Sequence, residues 1–534
     1  MALEMNNFLS WILFCLAAMV STIFFKHRKR CYGAKRKLPP GQLGLPLIGE
    51  TMEFYKAQRS NRLFEEFVEP RVAKYGKIFK TSLMGSPTVV VNGAEANRFI
   101  LSNEFKLVVS SWPSSSIQLM GKNSIMEKQG EQHRFHRGLI TSSLSSTALE
   151  TFVPKICMAV QLHLQKYWRG KDSVRLYRST KLLTFTIVFE CLLGINVEPE
   201  MLDTFERVLE GAFAPPLNFP GSKFSRAKKA RAEIVKILEK VVGEKRKEME
   251  NCSMVGEENG CMLLARLVGA MIRGELCEEE VIDNVVLLVF AAHDTTSFAI
   301  AMTFKMLGQH PDCYSKILQE HDEVKKTKKA GEILTLGDVK KMERTWQAAR
   351  ECMRLFPPIF GSFRKTVADI EYEGFTIPKG WKVLWTAYGT HYYEEYFKDP
   401  LRYDPSRFQE FVPPYVYVPF GGGPRTCAGY QLAKLNILIF LHYVVTAYHW
   451  SLLHPNEPII MDPLPLPSKG MPINISPKLI TTPNCFPFFP YLIIFFLHNL
   501  NIFFSILCPS YLFQQQLFSK EMKSSIILYT FNQK

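Results

Sequence analysis

Phe420-Gly421-Gly422-Gly423-Pro424-Arg425-Thr426-Cys427-Ala428-Gly429 is the stretch from which the rest of the chain is read. The glycines let the backbone take dihedrals closed to other residues and approach a bulky flat group closely. Pro424 stiffens the loop. Arg425 offers a forked cation suited to a carboxylate. An apolar run over 432–448 follows and predicts a helix, so Cys427 lies near a helix N-terminus, where backbone N–H groups favour a thiolate. The other cysteines differ. The chain has 12, with irregular spacing and no C-x-x-C pair, which is a reduced, cytosol-facing usage in which most are small buried apolar residues.

Three further segments lie upstream in order. Glu351-Cys352-Met353-Arg354 puts Glu and Arg at i and i+3 on one helix face. By itself such a pair is an ordinary surface salt bridge, but Leu355-Phe356-Pro357-Pro358 and then Pro405-Ser406-Arg407-Phe408 follow it. Phe290-Ala291-Ala292-His293-Asp294-Thr295-Thr296 lies in an apolar helical run that begins near Val281, and a buried helix seldom carries Asp-Thr-Thr without a reason. The plain alternative there is Ser/Thr back-bonding to the helix carbonyls. His133-Arg134-Phe135-His136-Arg137 is a basic segment with a surface helix as its alternative.

A thiolate can serve as the axial ligand of haem iron, and the Cys427 segment resembles the F-x-x-G-x-R-x-C-x-G signature of the cytochrome P450 superfamily at Phe420, Gly423, Arg425, Cys427 and Gly429. The resemblance implies a mainly α fold with small β sheets, a single catalytic domain, haem b, and a monooxygenase reaction using O2. Electrons would come from NADPH through a flavoprotein, NADPH–cytochrome P450 reductase, with basic residues near the Cys loop attracting it. The resemblance also implies roles: Cys427 as the iron ligand; Glu351, Arg354 and Arg407 as a buried structural triad; Asp294 and Thr295 as a proton relay, with local helix widening there to admit water. Arg425, Arg137, Arg364 and His133 become candidates for holding the haem propionates. His133 stands where the family pattern has Trp, and Ala292 where it usually has Gly. Leu217-Asn218-Phe219-Pro220-Gly221-Ser222 and Phe356-Pro357-Pro358-Ile359-Phe360-Gly361-Ser362-Phe363-Arg364-Lys365 resemble the branch that oxidises terpenoids, triterpenoid (beta-amyrin-type) and taxane skeletons among them. Trp112, Ile117, Leu119, Ala291, Ile359, Phe360 and Phe363 are the expected substrate-pocket residues. A sterol or brassinosteroid hydroxylase is the near alternative. A haem-thiolate isomerase or dehydratase, or a haem sensor, would keep the loop without needing the Asp-Thr pair.

Outward from the motifs, residues 1–30 read as a membrane anchor. Phe8 to Phe25 is uncharged and long enough to span, and Lys26, His27, Arg28, Lys29 and Arg30 follow at once, placing that end in the cytosol. A cleaved signal carries its charge before the apolar run. The reading is a single-pass protein of the endoplasmic reticulum membrane with a cytosolic catalytic domain. Residues 31–50 form a basic, proline-rich elbow, 51–478 the catalytic domain, and 479–534 an atypical apolar tail without Arg and with Glu521 as its one acid, whose composition suggests translated non-coding sequence. The chain of 534 residues has 47% hydrophobic and 22% charged residues and a net charge of +15, which excludes global disorder. The basic excess suits a solvated surface, an acidic partner or an anionic membrane face. No zinc-finger spacing or RNP-like motif supports nucleic-acid binding. Helices are expected over 61–75, 148–168, 181–193, 201–213 and 225–249, and strands over 78–83, 88–92, 370–372, 375–377 and 382–385.

Overall fold

The computed structural model describes residues 37–45, 48–251, 262–329 and 331–478, with Met19 and Thr22 besides. The expected tail, and the expected anchor apart from Met19 and Thr22, therefore lie outside the described residues. Within them the chain is mainly helical with small sheets. The largest sheet has five strands in the order Ile78–Leu83, Ser86–Val91, Lys382–Thr386, Gly361–Thr366, Val108–Ser110. Its pairings are antiparallel except for Ser86–Val91 against Lys382–Thr386. Both faces are buried, and the period of two sorts the side chains. Ile78, Val89, Val91, Val383 and Trp385 enter one cluster, whereas Phe79, Val90 and Leu384 enter another with Phe54 and Phe67.

The main core is helical. Its axis is the helix Glu278–Gln309, whose start is set by a capping box between Cys277 and Glu280 and by an acidic first turn. This helix and Tyr430–Ala447 are long and apolar enough to cross a membrane by composition alone. Both are core helices, with most of each buried against its neighbours. The charged helix Lys223–Asn251 buries only Phe224, Ala227, Ala230, Ile234, Leu238 and Val242, a stripe at three- and four-residue spacing with the charges in solvent.

Several boundaries differ from the sequence reading. The predicted helix over 61–75 divides into a π-turn, Phe64–Val68, and a short helix, Glu69–Tyr75. The helix expected over 181–193 begins at Leu176 and ends in a second π-turn, Val188–Leu193. The widening expected at Asp294 is absent, since Glu278–Gln309 runs as one α-helix through that point.

Candidate active site: the Cys427 loop and its cradle

Gly421 and Gly423 take φ of +70° and +65°. A Cβ on Gly423 would stand 2.0 Å from the Leu101 carbonyl oxygen, so only glycine fits this close approach. A 3-10 turn over Gly423–Arg425 follows. The Cys427 N–H donates to the Phe420 carbonyl at 2.9 Å, and Phe420 meets Tyr430 edge-on at 4.8 Å. Gly429 caps the helix Tyr430–Ala447. Burial pushes the Cys427 thiol up from its ordinary value, while the backbone N–H groups of Gly429 and Tyr430 and the Arg137 guanidinium pull it down. The residue is nevertheless accessible. A metal cation bound at a sulfur so closely surrounded yet reachable would turn the balance to thiolate.

Around the sulfur the cations are unequally occupied. Arg425 donates from Nε to Glu104 Oε1 at 2.7 Å, from Nη1 to the Ile125 and Met126 carbonyls at 3.3 Å each, and from Nη2 to the Lys128 carbonyl at 2.7 Å. Arg364 donates from Nε to Glu104 Oε2 at 2.5 Å and from Nη1 to Ser362 Oγ at 2.7 Å, leaving Nη2 spare. The Arg137 guanidinium has no protein hydrogen bond or ion pair among the described residues, although it lies close enough to Cys427 and Arg425 to feel both. Desolvation, with Arg425 beside it, moves its pKa down. Helix Gly130–Ser142 turns His133, His136 and Ile140 inward and leaves Arg134 outside, paired with Glu131. The surface-helix alternative thus holds for Arg134 and not for His133. Burial, then Arg425 and Arg137, push the His133 imidazole down to about 4. It is therefore neutral at physiological pH and acts as a polar group, not a cation.

Glu351, Arg354 and Arg407 come together as a closed network. Arg354 Nε and Nη2 donate to the two Glu351 oxygens at 2.7 and 2.8 Å, with both side chains fully buried. Arg354 Nη1 donates to the His391 carbonyl at 2.6 Å, and the Asp404 N–H donates to Glu351 Oε1 at 3.0 Å. Arg407 Nε stands 3.3 Å from Glu351 Oε1 as an ion pair without hydrogen-bond alignment. His391, which the sequence reading passed over, couples this network to the Cys loop. Its Nδ1–H donates to the Arg354 carbonyl at 3.0 Å, and its Nε2 accepts from the Val418 N–H at 3.0 Å.

On the helix Glu278–Gln309, Asp294 and Thr295 face different ways. Asp294 is buried, 2.8 Å from Lys181 Nζ, and accepts from the Tyr177 hydroxyl at 3.1 Å. Lys181 also pairs with Glu206 at 3.2 Å. Burial opposes the Lys181 charge, but Asp294 and Glu206 outweigh it and raise its pKa. Lys181 had no signal beyond the rule that a buried carboxylate needs a cation. Thr295 is half-buried, and its hydroxyl donates to the Ala291 carbonyl at 2.8 Å, the back-bonding raised as an alternative above. The helix stays α-helical through both residues, without widening. Leu287, Leu288, Ala291, Ala292 and Thr295 keep accessible surface in a helix otherwise largely buried. These side chains form one accessible stripe along the helix.

The pocket residues divide. Ala291 and Ile359 are exposed, and Trp112 and Ile117 are partly so. Leu119 is not a lining residue. It is fully buried in the main core and packs near Gly211, because its helix buries the Ser115, Ser116, Leu119 and Met120 face, with both serine hydroxyls donating to the Ala212 carbonyl. Phe360 and Phe363 send their rings toward Phe54, at 6.3 and 6.5 Å, so they complete a satellite core.

An accessible cysteine, a cation without a protein partner beside it and a stripe of modest side chains fit a flat anionic macrocycle holding a metal. The sequence model of cytochrome P450 matches residues 39–475. Taxane 13-alpha-hydroxylase of Taxus cuspidata is 41% identical over 86% of this chain and 96% of its own length. Beta-amyrin 28-monooxygenase of Medicago truncatula is 36% identical over 89% and 99%. A solved structure of retinoic acid-bound cyanobacterial CYP120A1 superposes with a TM-score of 0.75 at 30% identity, covering 83% of this chain and 100% of that one. The chain belongs to the cytochrome P450 family and is a haem b monooxygenase.

Proposed function

We propose that this enzyme hydroxylates an unactivated C–H bond of an apolar polycyclic terpenoid, of triterpenoid or taxane type, with electrons from NADPH through a flavoprotein reductase. The observation that carries this reading is the accessible Leu287, Leu288, Ala291, Ala292 and Thr295 stripe within the buried central helix. It offers a broad apolar wall with one hydroxyl, suited to a large rigid hydrocarbon. The named substrates of the taxane and beta-amyrin relatives support the same class.

Haem b, when bound, supplies the oxygen-activating iron. The chain's residues then act around it. Cys427 donates its thiolate, and Arg137 and the spare Nη2 of Arg364 hold the propionates. Thr295 Oγ presents a hydroxyl on the accessible stripe. Asp294 Oδ1, held by Lys181 Nζ and the Tyr177 hydroxyl, keeps a proton-exchanging carboxylate beside Thr295 and linked through Lys181 to the half-open Glu206. Membrane attachment through residues 1–30 agrees with the exposed Leu45 and Ile48 of the elbow and Met52 and Tyr55 just after it, and it would place the catalytic domain on the cytosolic side of the endoplasmic reticulum.

Microsomes from cells expressing this chain with a cytochrome P450 reductase, given a panel of triterpene and taxane skeletons, test the proposal. The expected result is an NADPH-dependent product with one added oxygen. Turnover without NADPH, or oxidation only of non-terpenoid substrates, would contradict it.

A further inference from the structure

We propose that Glu104 is a positioning residue of the haem cradle, clamping Arg364 and Arg425 by their Nε atoms and setting the net charge that the propionates meet. The proposal rests on the haem reading above. Glu104 follows the helix Ala94–Ser102, and its side chain is 1% exposed. Oε2 accepts from Arg364 Nε at 2.5 Å, while Oε1 accepts from Arg425 Nε at 2.7 Å and from the Ser110 N–H at 3.0 Å. These arginines are 61 residues apart in sequence and belong to a sheet strand and to the Cys loop. Glu104 is the carboxylate that joins them.

Its consequences are geometric first. An arginine held at Nε has its planar fork fixed in rotation. With Nε held by Glu104 and Nη1 by Ser362 Oγ, the plane of the Arg364 fork is fixed and Nη2 is the nitrogen without a bond among the described residues, while Arg425 is left to hold the Ile125, Met126 and Lys128 carbonyls. The loop carrying Glu104 is itself strained into place. Phe105 has φ +70°, a conformation rare for a bulky residue and kept only where the surroundings over-determine it. That turn sets the Phe105 ring 4.9 Å from the Arg425 guanidinium and 5.0 Å from His133. Glu104 thus grips the edge of Arg425 while Phe105 covers its face.

The second consequence is charge. Arg137, Arg364 and Arg425 are three cations, and His133 is neutral. Glu104 is the buried carboxylate paired with this group. Glu127 feels Arg425 through space but makes no ion pair with it among the described residues. Three positive charges against one negative leave an excess of two, which matches the pair of propionates on haem b. Without Glu104 the cradle would be over-charged and both arginines would lose the bond that fixes Nε.

The holoenzyme variant Glu104→Gln tests this, read by haem transfer to apomyoglobin and by the haem reduction potential. The expected outcome is transfer about 10-fold faster or more, the range seen when an outer-shell partner is lost. The potential should shift positive, because a negative charge near the haem is gone, while the carbon monoxide spectrum of the reduced protein stays that of a thiolate. Wild-type transfer rate and potential together would overturn the proposal. Loss of the thiolate spectrum in the wild-type protein would instead sink the haem reading. If Glu104→Gln does not accumulate folded, Glu104→Asp carries the test. It keeps the charge but lacks the reach, so faster transfer at a near-native potential is expected, and unchanged transfer would overturn the clamp.

Discussion

The triad around Glu351 and the cradle around Cys427 are built from the same residue types and finish differently. In the triad Arg354 spends its donors on Glu351, the His391 carbonyl and the Arg402 carbonyl. Every nitrogen of Arg354 is bonded, and Glu351 and Arg354 are fully buried. In the cradle the Arg137 guanidinium has no protein partner among the described residues, Arg364 keeps Nη2 spare, and the sulfur is accessible. A closed charge network stabilises a fold, and an open one waits for a ligand. Burial and charge do not distinguish them, whereas counting donors does.

The comparison breaks most visibly at Arg354. Arg354→Ala leaves the buried Glu351 with only the unaligned Arg407 ion pair and the Asp404 N–H, at about 3–5 kcal/mol, so chemical unfolding should show a collapse of stability and little holoprotein. A variant within about 1 kcal/mol of wild type would place the network outside the folding core. At Arg137 the expectation reverses. Arg137→Gln should change apoprotein stability by no more than about 0.5 kcal/mol, as at a site without partners. Haem affinity, by titration, should fall about 10-fold. Equal losses in both variants would erase the distinction between closed and open.

Acidity sharpens the contrast further. Burial first, and then Arg354, hold His391 down at about 3, and burial first holds His133 at about 4. Unfolded imidazoles take up a proton near about 6.5. Between that value and the folded ones the unfolded state binds more protons, so stability falls as pH drops from about 6.5. Urea midpoints should decline from pH 7 to pH 5, and His391→Gln should flatten that slope. A pH-independent midpoint would contradict the burial of these rings. A small stability effect is also expected of Thr295→Ala, which removes only a back-bond to Ala291. Unfolding should shift by less than about 1 kcal/mol, while product formed per NADPH consumed should drop. Unchanged coupling would remove Thr295 from the proton path.

Local patterns were legible in the sequence, and long-range partners were not. The Cys427 loop, the Glu-x-x-Arg pair and the Asp-Thr-Thr segment declare themselves by residue type at short spacing. The strands at 78–83, 370–372 and 375–377 matched because alternation shows locally. Glu104 lies 260 residues from Arg364 and 321 from Arg425, and neither periodicity nor motif links them. Lys181 and His391 were hidden for the same reason. Leu119 misled because an apolar side chain near a pocket and one in a core look alike in sequence, and only the packing direction of its helix separates them.

The central claim is that the Cys427 sulfur holds the iron, and Cys427→Ser tests it most directly through the carbon monoxide difference spectrum of the reduced protein. The account predicts that the thiolate band disappears in the variant along with oxygenase turnover, while Arg137→Gln protein reloaded with haem keeps the band. A serine variant that retains the thiolate spectrum and the activity would contradict it.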